Sequence, residues 1–261
     1  MKSVADAMQN LQQVADSPLM QRLGKAFADA GFELALVGGS VRDAFLGRNS
    51  PDLDFTTSAR PEQTQAILKP LVDAIWDIGK EFGTIGGRLG DDTIEITTYR
   101  AEAYHPDSRK PMVAYGNDLA EDLVRRDFTV NAMALRLPDG VFVDPHNGLN
   151  DLIAGVLKTP GAPEDSFSDD PLRMLRAARF AAQFGLAIAE PTFSAMKAMA
   201  DRIDIVSAER VQVELVKLMT GAHPRLGLEA MVDSGLANHV LPELPALRLE
   251  IDEHHHHKDV Y

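Results

Sequence analysis

Cysteine is absent from this chain of 261 residues. That excludes disulfides, thiolate zinc sites and cysteine nucleophiles together, and it suits a reducing compartment. Aromatic residues are sparse at 6%, with a single Trp. No apolar run approaches the roughly 18 residues of a membrane span, so no membrane partner is expected. The opening MKSVADAMQNLQQ lacks the basic and apolar regions of a secretory signal, which points to a cytoplasmic protein. Basic residues are also in deficit: 26 Lys and Arg stand against 39 Asp and Glu, a formal net charge of -13. Bulk charge therefore does not recruit nucleic acid, although a local basic stripe or acidic groups that hold cations stay open. What is present in quantity is ordinary. Hydrophobic residues at 45% and charged residues at 25% exclude a disordered or fibrous chain. The length suits one large or two modest domains with a true core.

Periodicity and punctuation predict a mixed α/β head followed by a helical segment. Residues 1–30 carry Val4, Met8, Leu11, Val14 and Leu19 to Leu23 at helical spacing, with Gly31 as a stop. Phe32 to Val37 is a β-type run ending in Gly38-Gly39. Ser40 to Leu46 reads as helix, Gly47 to Pro51 as turn and Leu53 to Thr57 as strand. Pro61 to Ala74 has helical character; Trp76 to Gly79, Thr84 to Leu89 and Thr93 to Tyr99 are strand candidates. Residues 101–120 are polar and aperiodic, and a loop of that length is more often functional or disordered than idle. Arg126 to Ala134 is expected to open a helix, and Leu135 to Val143, broken at Pro138-Asp139-Gly140, to form a hairpin. Thr159 to Ser168, rich in Pro, Ser and charge, reads as the boundary. Helices are expected beyond it at Pro171 to Phe184, Pro191 to Ala200, Ala208 to Thr220 and Pro224 to Ser234.

Two short patterns point to chemistry. Gly38-Gly39-Ser40 follows a strand and opens a helix, where glycines let backbone N–H groups approach a phosphate and the helix end favours an anion. Shortly downstream, Asp52-Leu53-Asp54 starts a strand, and alternation puts both carboxylates on one face. Such a pair suits Mg²⁺, a hard cation that prefers oxygen ligands. Either pattern alone reads as an ordinary turn; at short range they support each other. Glu95 stands among β-branched neighbours in Thr93-Ile94-Glu95-Ile96-Thr97, as a solvent-facing acid or a third carboxylate beside the pair. Arg100 closes that strand and could pair with a phosphate or an acid.

Taken in order, these stretches resemble a known family. Val37-Gly38-Gly39-Ser40-Val41-Arg42-Asp43, then Leu46-Gly47, then Asp52-Leu53-Asp54-Phe55-Thr56-Thr57 is similar to the signature of the class II tRNA nucleotidyltransferases, the CCA-adding enzymes and bacterial poly(A) polymerases. Phe82-Gly83-Thr84-Ile85, Glu95 to Arg100, Arg125 to Ala134, and Asp169-Asp170-Pro171-Leu172-Arg173 with Arg176 to Phe180 continue the match. The resemblance implies an α+β fold: a polymerase-β-like head with a mixed sheet over residues 1–160, and an all-helical neck and body over 161–250. It implies that Asp52 and Asp54 hold two catalytic Mg²⁺ ions, with Glu95 as a third catalytic carboxylate. Gly38, Gly39, Ser40 and Arg42 would contact the nucleotide phosphates, Arg125, Arg126 and Asp127 the ribose and phosphate. Asp170 and Arg173, three apart and so on one helical face, would read the base edge, with Arg176 and Arg179 further along the helix. Asp169 stands where the family usually has glutamate. Glu209, Arg210 and Glu214 match a distal motif read as structural.

The implied activity is template-independent addition of C and A to tRNA 3′ ends from CTP and ATP. Poly(A) or A-only addition is the nearest alternative. Against it, Gly79-Lys80-Glu81-Phe82-Gly83-Thr84 stands where those polymerases typically carry Gly-Arg-Arg-Phe-Arg-Leu. A non-catalytic RNA-binding relative ranks lower because the acidic residues are all kept. The family's mobile loop corresponds to residues 101–120, with His105, Asp107, Arg109 and Lys110. Residues 251–261, including His254 to His257, resemble the entry to a further domain, which in some bacterial members of the family is of HD type. The main grip on tRNA is therefore expected beyond residue 261. No oligomeric state is implied.

Overall fold

The computed structural model describes residues 4–48, 52–77, 79–80, 83–101, 114–116 and 118–247. Most of the expected loop at 101–120, its four named residues, Phe82 and the segment 251–261 lie outside the described residues. By its internal contacts the chain divides into two units, Met1–Leu149 and Asn150–Tyr261.

The first unit opens with two helices where one continuous stretch is expected: α1 (Val4–Ala15) and α2 (Pro18–Asp29). Ser17 breaks them. Its hydroxyl accepts from the Met20 N–H, and Pro18 fills the first turn, where a missing N–H costs nothing. Then come β1 (Leu34–Val37), α3 (Gly39–Phe45), β2 (Asp52–Thr57), α4 (Pro61–Leu68), β3 (Ala74–Trp76), β4 (Thr84–Leu89), β5 (Asp92–Thr98), β6 (Arg100–Ala101), β7 (Ala114–Tyr115), α5 (Leu119–Val124), β8 (Ala134–Leu137) and β9 (Val141–Val143), and α6 (Gly148–Ala154) starts in this unit and continues into the second. Three expectations are corrected here. The strand expected at Trp76 to Gly79 lies earlier, at Ala74–Trp76. Helix α4 stops at Leu68 rather than running to Ala74, because Pro70 cannot donate the next ladder hydrogen bond. No helix runs from Arg126 to Ala134: α5 lies earlier, capped by the Asp118 carboxylate, and Thr129–Asn131 forms only a 3-10 turn. The Asp127 carboxylate accepts from the Phe128 N–H and the Asn131 amide, and such local bonds compete with helix.

Seven strands form one mixed sheet in the order β3-β4-β5-β2-β1-β8-β9. The β2–β5 pair is parallel and the other pairs are antiparallel. Alternation separates its faces. Phe55, Ile85, Ile94 and Ile96 are fully buried on one face, each contributing about 1.5–3 kcal/mol by leaving water. The opposite face is open over β5 and β2, where Glu95 and Asp54 are exposed. Strand β1 is buried on both faces, since Leu123 of α5 packs with Ala35 and Val37.

The second unit contains β10 (Val156–Leu157), α7 (Pro163–Asp169), α8 (Leu172–Phe184), β11 (Ala187–Ile188), α9 (Glu190–Met199), α10 (Ala208–Met219), α11 (Pro224–Ser234) and α12 (Ala237–Val240). The helices match the expected ones closely. Helix α7 occupies much of the Thr159–Ser168 stretch read as a boundary, with Pro163 in its first turn. Its only sheet among the described residues is the parallel β10–β11 pair. Helix α8 is the core of this unit: Met174, Leu175, Ala177 and Ala178 are fully buried, and α10 and α11 pack on it.

Candidate active site

Strand β1 delivers the chain to Gly38, whose φ of 70 and ψ of -134 favour glycine. Space is tight as well. A Cβ on Gly38 would lie 3.2 Å from Nη1 of Arg126, and one on Gly39 would lie 3.3 Å from Nη2 of Arg42. Two guanidinium groups thus back the bend at the start of α3. Ser40 ties it to the next strand, its hydroxyl accepting from the Asp54 N–H at 3.4 Å.

Asp54 and Glu95 are register partners on the parallel β2–β5 pair, so the exposed carboxylates occupy one row of the open face. Asp52 is fixed here by backbone register alone, two positions earlier beside Thr93; its side chain lies outside the described residues. Hard carboxylate oxygens on an open face fit Mg²⁺, and Asp52, Asp54 and Glu95 are the residues that could hold it. Among the described residues, no three acidic or histidine side chains already converge as a metal cluster.

Arg42 departs from its expected place. It is buried, and its guanidinium makes a bidentate pair with Asp43 at 2.9 and 3.1 Å and donates to the Asn131 amide oxygen. Asn131 in turn donates to Asp127 at 3.0 Å. Arg42, Asn131 and Asp127 therefore form one buried chain of bonds linking α3 to the turn after α5.

Sequence reasoning misses Asp122, yet this acid organises the basic residues. Its carboxylate takes the Arg126 Nη2 at 3.1 Å and the Arg100 backbone N–H at 3.2 Å. Burial pushes the Arg100 guanidinium down; attraction to Asp122 opposes this, and repulsion from Arg125 and Arg126 adds to it. Three arginines thus gather around one acid beside the glycine bend. Its signal, an acid four residues before Arg126, exists in the sequence but is common.

In the second unit, Asp170 is not within α8. It sits between α7 and α8, in an extended conformation. Its carboxylate accepts from the Leu172 N–H at 3.2 Å and from Arg210 of α10 at 2.7 Å. Arg173 donates to the Ser166 hydroxyl of α7 at 2.8 Å. Arg176 and Arg179 turn inward to the buried Glu214 of α10, at 3.5 and 2.5 Å. Arg210, Ser166 and Glu214 stand on other helices, so no spacing rule links them to α8.

A mixed sheet with a carboxylate row beside a glycine bend, followed by a helical unit, defines a nucleotidyltransferase head of polymerase-β type with its helical extension. Residues 34–158 match the Poly A polymerase head domain, and residues 185–247 match the domain described as the probable RNA and SrmB-binding site of polymerase A. The CCA-adding enzyme of Levilactobacillus brevis is 40% identical over 220 residues, 84% of this chain and 53% of that protein. The Bacillus stearothermophilus CCA-adding enzyme, solved with CTP, has a TM-score of 0.78 at 32% identity, over 89% of this chain and 57% of that one. The Thermotoga maritima enzyme, solved with tRNA, has a TM-score of 0.76 at 28% identity, over 91% and 56%. The chain belongs to the class II tRNA nucleotidyltransferase and bacterial poly(A) polymerase family. It spans about half the length of the curated relatives it matches.

Proposed function

We propose that this chain catalyses template-independent transfer of C and A nucleotides from CTP and ATP to tRNA 3′ ends, with release of pyrophosphate. The carrying observation is the Asp54–Glu95 row on the open face beside the Gly38-Gly39 bend backed by Arg126. The CTP and tRNA complexes of the Bacillus and Thermotoga enzymes support the same substrate classes here. Residues 1–160 act as the nucleotidyltransferase head and 161–250 as the nucleotide-selecting neck and body, in the cytoplasm.

The backbone N–H of Gly39, with Ser40, binds triphosphate oxygens, and Arg126 and Arg125 neutralise them; the Gly38 N–H donates to the Met133 carbonyl at 3.4 Å, so Gly38 contributes the shape of the bend. Arg42 acts one step back, fixing the bend through Asp43 and Asn131. Asp52 and Asp54 hold Mg²⁺, with Glu95 as the third carboxylate. Two bound ions would supply charge stabilisation at the attacking and leaving oxygens. The RNA's terminal hydroxyl displaces pyrophosphate from the α-phosphorus, and the residues contribute positioning and charge neutralisation. Asp127 accepts from a ribose hydroxyl. Asp170 accepts from the base amino group and Arg173 donates to the neighbouring ring acceptor, a pattern shared by cytosine and adenine. Arg176 and Arg179 hold α8 to Glu214 and so keep that reader in place.

Incubation with tRNA lacking its 3′ end, with CTP, ATP or both, tests the reading. Three added nucleotides with both are expected. Addition of A alone, or of a long A tract, would identify the alternative polymerase activities, and no incorporation would overturn the reading.

A further inference from the structure

We propose that Trp76 is the platform on which the terminal base of the acceptor RNA stacks while its hydroxyl attacks. The inference rests on the nucleotidyltransferase reading and deepens it. Trp76 closes β3 and pairs with Gly86 of β4; Gly86 pairs with Glu95 of β5, and Glu95 with Asp54 of β2. Register partners share a sheet face. One row of the open face therefore runs from an aromatic residue, through a glycine, to two carboxylates. The glycine is what shapes it. A Cβ on Gly86 would collide with Nε1, Cε2 and Cδ1 of the Trp76 indole, so the ring lies across the bare glycine backbone, toward Glu95. Beside this row the Thr84 and Thr97 hydroxyls pair at 2.9 Å on the same face, and Arg88, two residues beyond Gly86, is exposed.

Sheet order selects the occupant. Neighbouring strands lie about 4.8 Å apart, so a ring over β4 is roughly one strand from Glu95 and two from Asp54. The glycine bend follows β1, on the other side of β2. The carboxylates therefore separate the triphosphate anchor from the indole. In an in-line displacement the attacking oxygen enters opposite the leaving pyrophosphate. The nucleotide that owns that oxygen thus arrives from the β4–β3 side, where its base meets the ring. Stacking on an aromatic plane accepts every base. That property suits an RNA end whose last base changes as nucleotides are added, and it needs no hydrogen-bond reader on this side.

Trp76 is the single Trp of the chain, so its emission reports on this ring alone. The probe is a hairpin RNA with an unpaired 3′ end finishing in two cytidines. Expected is a saturable change in emission that follows binding of the same RNA by anisotropy, and none with a blunt-ended hairpin. Trp76→Leu should raise KM for the RNA by about 5- to 100-fold while KM for CTP and ATP stays unchanged. Trp76→Phe should recover most of the loss. A ring that only fills the sheet edge would instead lower thermal stability and change both KM values. Unchanged emission upon proven RNA binding, or an unchanged KM for RNA in Trp76→Leu, would overturn the inference. The emission arm decides even if that variant fails to fold. Absence of incorporation by the unsubstituted chain would instead reject the nucleotidyltransferase reading itself.

Discussion

Asp54 and Glu95 are acids flanked in their strands by apolar residues, Leu53 and Phe55, Ile94 and Ile96, and that contrast marks them in the sequence itself. What alternation does not supply is their meeting. They belong to strands about forty residues apart, and only the parallel β2–β5 register sets them side by side. Asp54→Asn keeps the size and the backbone bond to Ser40 but removes the charge. Nucleotide incorporation should fall on the order of 100- to 1000-fold, the cost of losing one preorganised electrostatic group. Stability should change by less than about 0.5 kcal/mol because the side chain is exposed. Gel-resolved extension assays beside a thermal melt check both halves. His146 carries a separate, pH-linked signature. Burial pushes its imidazole below the ordinary value of 6.5, Asp144 opposes this, and its Nε2 is buried with no hydrogen-bond partner among the described residues. The unfolded chain then takes the proton first. This contribution is full above pH 6.5 and is lost as pH falls below it. Tm should drop between about pH 7 and about pH 5, and drop less in His146→Phe, as scanning calorimetry would show.

Elements are legible where one rule acts alone. The core strands follow alternation, and the four long helices of the second unit follow the 3.6 period, three with Pro within a residue of the start and α10 with the Ser207 cap instead. Legibility ends where a side chain competes with the backbone: Ser17 divides the first helix, and Asp127 unmakes an expected one. Helix partners are not legible at all. Arg176 and Arg179 read only as further basic residues along their own helix, open to triphosphate or to solvent, yet both reach Glu214, which periodicity alone leaves as one more residue of α10. Arg210 likewise binds Asp170 from forty residues away. These contacts make α10 the brace of Asp170 and of α8, and so of the pair proposed to read the base. Glu214→Ala would leave two guanidinium groups facing a buried void. Arg176 remains about a third exposed, which softens the loss. A destabilisation of about 3 kcal/mol is expected, with poorer discrimination between CTP and UTP. Urea denaturation and competition assays measure the two effects, and a variant as stable as the parent would show that α8 does not depend on this pair.

At the scale of the whole molecule the charge works against its proposed partner. A net -13 repels a polyanion at long range, so affinity for RNA must come from local geometry. The visible local asset is small: Arg100, Arg125 and Arg126 around Asp122, beside the glycine bend. Each phosphate neutralised releases condensed counterions and adds about 0.7 to 0.9 to the salt slope. Three arginines therefore predict a log–log slope near about -2 to -3 for tRNA binding to this chain. Part of their charge is already spent on Asp122, which biases the expectation to the shallow end. Nucleotide binding depends on close contacts at the bend and should lose much less over the same range. Anisotropy titrations of labelled tRNA and of a fluorescent CTP analogue, from about 50 to 200 mM salt, separate the two. Weak tRNA binding that fades with salt while the nucleotide signal persists is the expected pattern. A slope near about -8 would require roughly nine or more phosphate contacts, and hence a basic surface beyond these three arginines.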